Sequence, residues 1–152
     1  MASIQLTKIE HHSPNPALFA APFHFTFSVN VSDDLREDME VSFVWVGYGD
    51  TPLYDQKLEK FVIGPLRLGT NVFEAHVPGP RWDLIPAWDI LGETLLLVSL
   101  RYCDAEFVRV GYWVSVEYIN STDVPHTVCV ERIGRTLSLP SVNTSAINWR
   151  LP

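Results

Sequence analysis

Residues 23–31 constrain the fold more than any other stretch. Phe23, Phe25, Phe27, Val29 and Val31 alternate with His24, Thr26, Ser28 and Asn30. A period of two puts every apolar side chain on one face of an extended strand and every polar one on the other. Weaker forms of the pattern recur at Ile4–Ile9, Glu40–Gly47, Asn71–Val77, Glu93–Cys103, Glu106–Tyr118 and Thr127–Ile133, with a last short segment at Ala146–Arg150. Turn signals separate them: Pro14-Asn15-Pro16, Asp33-Asp34, Gly47-Tyr48-Gly49-Asp50, Gly64-Pro65, Pro78-Gly79-Pro80 and Asp104-Ala105. Short strands at such regular spacing predict an all-β, immunoglobulin-like β-sandwich. Helix is confined to short turns in loops, Trp82–Leu91 being the candidate and Pro86 limiting its length. At 152 residues the chain fits a single domain, 1–152, with Asn120–His126 as a polar loop.

Charge and cysteine usage narrow the function classes. The net charge is −7, a field that repels phosphate backbones, so direct nucleic-acid binding is disfavoured and basic partners are favoured. Cys103 and Cys129 are the two cysteines, too few for a disulfide scaffold, and read as reduced thiols in an intracellular protein. No secretory signal or membrane-length apolar run is visible. No catalytic constellation emerges either. His11, His12, His24, His76 and His126 show no metal-ligand spacing, and neither a phosphate-binding glycine loop nor a nucleophile elbow is present. The expectation is a binding protein without catalytic residues, metal or cofactor.

The hairpin Glu93–Tyr118 carries the most informative surface. Core must face core across it, because a one-residue slip flips every side chain. A three-residue loop, Cys103-Asp104-Ala105, satisfies this and pairs Leu95 with Trp113 and Ser99 with Arg109; a two-residue loop is rejected because it opposes core and wet positions. The outer face then carries Leu95, Leu97 and Trp113 among Glu93, Arg101, Arg109 and Glu117, an apolar patch with a charged rim. The same residues would also fit a face covered by another segment of the chain. A second candidate is the acidic turn Asp33, Asp34, Glu37, Asp38 and Glu40, read either as a solvated loop or as a dock for a basic peptide beside the Phe61-Val62-Ile63 run. The triplets at Asn30, Asn120 and Asn143 keep a rival reading open, a secreted or cell-surface immunoglobulin-like binding domain.

Separated blocks then point to a family. They are Trp45-Val46-Gly47; Asp55-Gln56 with Leu58; Val62-Ile63-Gly64-Pro65 with Gly69 and Phe73; Leu84-Ile85-Pro86 with Asp89, Gly92 and Thr94; Glu106 to Tyr112, continuing to Glu117-Tyr118; and Ile147-Asn148-Trp149. In this order and spacing the chain resembles the anti-silencing function histone chaperones over essentially its whole length. The resemblance implies a nuclear, monomeric protein with a cytoplasmic pool. It would bind the histone H3–H4 dimer, cap the H3 surface used for tetramer formation, and pass the histones to assembly factors. By resemblance Leu95 takes a central apolar position, usually valine. Asp55, Asp89 and Arg109 take charged histone contacts, and Trp113 replaces a usual tyrosine. Glu93, Leu97, Val142 and Asn143 complete that face. Glu37 and Asp38 match an acidic pair that receives basic segments of downstream chaperones, with Glu59, Phe61 and Ile63 along the groove. The sequence departs from the family at Glu93, usually apolar, and at Ser141 and Asn143, usually arginine and threonine beside the strand that pairs with the H4 tail. No acidic tail follows Trp149.

Overall fold

The computed structural model of the chain describes residues 2–47, 55–85, 90–119 and 130–149. Among the described residues, ten strands form two antiparallel sheets: β1 (Ile4–His11), β2 (Ala17–Leu18), β3 (Phe23–Val31), β4 (Met39–Trp45), β5 (Gln56–Ile63), β6 (Gly69–Val77), β7 (Gly92–Tyr102), β8 (Ala105–Tyr118), β9 (Ile133–Leu137) and β10 (Ser141–Thr144). The small sheet has the order β1-β3-β6. The large one runs β2-β9-β8-β7-β4-β5, with β10 beside the first half of β8. This is the sandwich that the alternation predicts.

The alternating apolar residues of β3 are all buried, and they meet Met39, Val41, Phe43 and Trp45 of β4 and Leu96, Val98, Leu100 and Tyr102 of β7. Aromatic rings fill the middle: Phe25 lies 5.4 Å from Phe43 and 5.7 Å from Tyr112, and Phe19 meets Trp45 edge-on at 5.5 Å. A charge sits in this core. Arg135 of β9 is 1% exposed, and its Cζ lies 3.7 Å over the Phe23 ring. Its guanidinium donates to the Phe19 and Pro22 carbonyls at 2.6 and 3.3 Å.

Several expectations need correction. The strand placed at Thr127–Ile133 is instead β9, starting at Ile133 after a 3-10 turn over Val130–Arg132; residues 127–129 lie outside the described residues. The last strand is Ser141–Thr144, and Ala146–Trp149 is not a strand. Trp149 there packs its ring on Phe107 at 4.8 Å. The helical candidate reduces to a 3-10 turn at Trp82–Leu84, residues 86–89 lying outside the described residues. The hairpin loop has two residues, not three. Tyr102 pairs with Ala105, and Cys103 and Asp104 both have positive φ, 49° and 64°, as a tight primed turn requires. A bulge next to Phe107 then restores the register, so Leu95 does oppose Trp113 and Ser99 does oppose Arg109. The two-residue loop and the core-to-core pairing are compatible because the bulge supplies the missing residue.

His11 of β1 links the fold to pH. Its ring lies 5.1 Å from Phe25 and its Nε2 is buried without a hydrogen-bond partner. Burial, then the neighbouring charge of Arg135, lowers its pKa from 6.5 to about 4. Folding therefore favours the neutral ring. Stability is full above pH 6.5 and is lost as the pH falls toward about 4. Discounted for partial exposure, the loss at about pH 4.5 is on the order of 2 kcal/mol. Urea unfolding should show this loss in the wild type and not in His11→Phe; equal pH dependence in both proteins would refute the assignment.

Candidate functional site

Strands β4, β7 and β8 set the candidate face, on the side of the large sheet away from the core. Leu95 and Leu97 are half-buried there, beside the half-buried Val44, which pairs with Leu97. Trp113, opposite Leu95, is 58% exposed. The apolar patch is thus open at its centre, and Val44 extends it onto β4. Thr94 anchors the start of β7 by donating its hydroxyl to the Val46 carbonyl, and the Val46 N–H donates to the Leu95 carbonyl at 3.0 Å. Leu95 is therefore displayed from a backbone fixed on both sides.

The charged rim is pre-arranged. Glu106 accepts from the Arg109 Nε at 2.9 Å and Nη2 at 3.2 Å, and from the Arg101 Nη2 at 3.3 Å. Its carboxylate holds the exposed Arg109 guanidinium in one orientation without covering it. Sequence reasoning did not assign Glu106 this part; its offset of three residues from Arg109 is read correctly once the bulge at Phe107 is known. Glu93 and Glu117 stand exposed along the same hairpin. Asp55, exposed, immediately precedes β5 at the other edge of the sheet, and partial burial raises its carboxyl pKa. Its neighbour Gln56 is buried and exchanges two 2.8 Å hydrogen bonds with the Arg81 backbone. Asp89 lies outside the described residues.

The edge of β8 has an uncommon arrangement. Its second half pairs with β9 and its first half with β10, and Ser138 bridges the gap, exchanging 2.9 and 3.0 Å hydrogen bonds with the Trp113 backbone. Ser141 and Asn143 oppose Gly111 and Arg109, which places them on the candidate face. Val142 opposes the buried Val110 and so projects to the other side of the sheet. Leu139, 90% exposed at the β9–β10 corner, was not singled out from sequence.

The second candidate, the acidic turn with its neighbouring row on β5, is at the opposite edge. Glu59, Phe61 and Ile63 pair with Phe43, Val41 and Met39, so they form one row of β5. A chain of rings, Phe61–Phe43–Phe27–Phe73 at 6.1, 6.1 and 4.9 Å, crosses from this edge to β6. The row has Phe61 and Ile63 half-buried against the core, and Glu59 exposed. Glu37 and Asp38 enter at its Ile63 end, because Met39 pairs with Ile63. The Glu37 N–H donates to the Tyr102 hydroxyl at 3.2 Å. Asp38 packs so closely on Gly64 that any Cβ there would occupy the space of its carboxylate. That contact gives Gly64 a physical reason.

A third grouping escaped the sequence. His24, Glu74 and His76 share the outer face of the small sheet, their ligand-capable atoms all within 4.8 Å of one another. Sequence spacing hid it because strand pairing, His24 opposite His76, brings distant residues together.

Residues 1–150 match the family model for the ASF1 like histone chaperone. "Histone chaperone asf1" of Aspergillus oryzae is 36% identical over 140 residues, covering 89% of this chain and 49% of that protein. "Histone chaperone ASF1" of Candida albicans is 35% identical over 154 residues, covering 98% and 62%. "Histone chaperone ASF1B" of Homo sapiens is 34% identical over 140 residues, covering 89% and 69%. The chain thus spans about half to two thirds of the length of these relatives.

Proposed function

Starting from a chain that belongs to the ASF1-like histone chaperone family, we propose that residues 1–152 are one domain that binds the histone H3–H4 dimer. The chain holds it as a dimer by capping the H3 tetramerisation surface, and acts as a monomer in the nucleus, with a cytoplasmic pool. It works by binding and hand-off, without cofactor or turnover. The observation that carries the reading is the pairing of Leu95 with the exposed Trp113, inside a rim that contains the braced Arg109. An apolar anchor surrounded by desolvated charge is how a few residues supply most binding energy. Asp55, Asp89, Glu93, Leu97 and Asn143 complete this contact.

The H4 tail adds along β10. Strand addition draws its affinity from main-chain hydrogen bonds, so Ser141 and Asn143 leave that contact in place but strip it of charge. Val142, turned to the other side of the sheet, takes part through its backbone. The acidic groove receives a basic segment of a recipient chaperone, with Glu37 and Asp38 engaging its Lys or Arg residues and Glu59, Phe61 and Ile63 lining the apolar part. The histone patch is on the outer side of the large sheet and the Glu59–Phe61–Ile63 row on its core side, so histone and recipient are held together during transfer. Family membership supports this reading over the rival secreted-domain one.

Separate docks make a specific expectation. The double variant Glu37→Lys/Asp38→Lys should keep histone binding within about twofold and weaken a basic recipient peptide by roughly tenfold or more. The wild-type peptide affinity should fall steeply with added salt. Fluorescence anisotropy with a labelled basic peptide, beside histone pull-down, reads both; loss of both activities in one variant would contradict two independent docks.

A further inference from the structure

The geometry points to a divalent transition-metal site, of the Zn2+ class, formed by His24, Glu74 and His76 on the outer face of the small sheet. His24 and His76 are direct cross-strand partners of β3 and β6, and Glu74 lies opposite Thr26, two residues from His76 on the same face. The two imidazoles stack with centroids 4.3 Å apart and planes 10° from parallel. His24 Nε2 lies 3.7 Å from a Glu74 carboxylate oxygen, beyond hydrogen-bond reach, and is otherwise buried without a partner. A buried ring nitrogen with no partner is costly to leave so, and coordination satisfies it.

The donor set selects the ion. Two imidazole nitrogens and one carboxylate oxygen suit a borderline cation such as Zn2+, whereas Ca2+ and Mg2+ demand oxygen shells. Bringing donors that lie within 4.8 Å of one another to about 3.3 Å, the edge of a tetrahedron with metal–nitrogen bonds near 2.0 Å, calls for rotation of half-exposed or exposed side chains. Water completes the shell. Bound metal would staple β3 to β6 on the outer face of the small sheet, whereas Leu95 and Trp113 belong to the large sheet. His12 tests the specificity of the grouping. Its ring is 5.0 Å from His24, but its Nε2 is hydrogen-bonded to the Thr26 hydroxyl at 2.7 Å, which leaves it outside the ligand set.

Isothermal titration of zinc chloride into the full chain tests the proposal. It should give one Zn2+ per chain and a rise in Tm of roughly 5–10 °C at saturating metal. His24→Ala and His76→Ala should each weaken binding about tenfold or more, and His12→Ala should leave it within about twofold. These side chains face solvent at least in part, so the variants fold, which circular dichroism verifies. Absence of saturable Zn2+ binding, or wild-type affinity in the His24→Ala/His76→Ala double variant, would overturn the proposal. An equal loss in His12→Ala would also overturn it, since that describes diffuse adsorption on a histidine-rich surface.

Discussion

Leu95→Arg should nearly abolish H3–H4 binding while the protein stays folded. Leu95 is half-buried on the outer face of β7, so its replacement disturbs no core contact, and the stability change should stay within roughly 0.5 kcal/mol. Binding is another matter. The substitution puts a charge at the centre of a patch that the partner must desolvate, directly opposite Trp113. Losses at such an anchor run to about 3 kcal/mol or more, which is a hundredfold or greater fall in affinity. Leu95→Val, which restores the residue usual in the family, should bind nearly as well as the wild type. Biolayer interferometry on immobilised H3–H4, with thermal melts of both variants, checks the pair. Strong histone binding by a folded Leu95→Arg protein would remove this face from the account.

The second large effect is structural. Arg135→Ala should cost about 4 kcal/mol and lower Tm by roughly 8–16 °C. The mutation deletes two charge-assisted hydrogen bonds to the Phe19 and Pro22 carbonyls and the stacking on Phe23. It also leaves a void in the core. Opposing effects exist: burial pulls the guanidinium pKa down to about 10, and its Nε has no partner. Arg135→Met separates the two sides, because it keeps the stem and removes the charge. If the hydrogen bonds dominate, Met is destabilised by about half as much as Ala; a Met variant as stable as wild type would show that desolvation cancels them. Arg135→Lys should not rescue, since a single ammonium cannot stack on the ring and reach both carbonyls at once.

Much of this architecture was legible because burial in a sandwich is written as alternation. β3 shows it without interruption, and the Leu95–Trp113 and Ser99–Arg109 pairings follow from keeping core against core. Legibility fails where a bulge shifts the parity. At Phe107 the bulge makes a two-residue loop compatible with a register that simple counting assigns to three. In β5 the register shifts between Phe43 and Val44, leaving Leu58 as the extra residue among Lys57, Glu59 and Lys60, and the alternation that would announce a full strand is lost. β9 was misplaced for a different reason. Its buried Arg135 reads as a surface residue, because its acceptors are backbone carbonyls of a loop more than a hundred residues earlier. The residues of the proposed dock were named through family resemblance, and the structure adds how they are arranged. Asp38 is seated on Gly64, Glu37 is tied to Tyr102, and Glu59, Phe61 and Ile63 share one row. The His24–Glu74–His76 grouping had no signal in the linear sequence, since cross-strand neighbours are set by register.

The central claim is that one chain caps one H3–H4 dimer through the Leu95–Trp113 face. Size-exclusion chromatography with multi-angle light scattering, on the pure chain mixed with H3–H4 at moderate salt, tests it most directly. A stable complex of one chain with one H3–H4 dimer, absent with Leu95→Arg, is the predicted result. Co-elution with an intact H3–H4 tetramer, or separate elution of chain and histones, would contradict it.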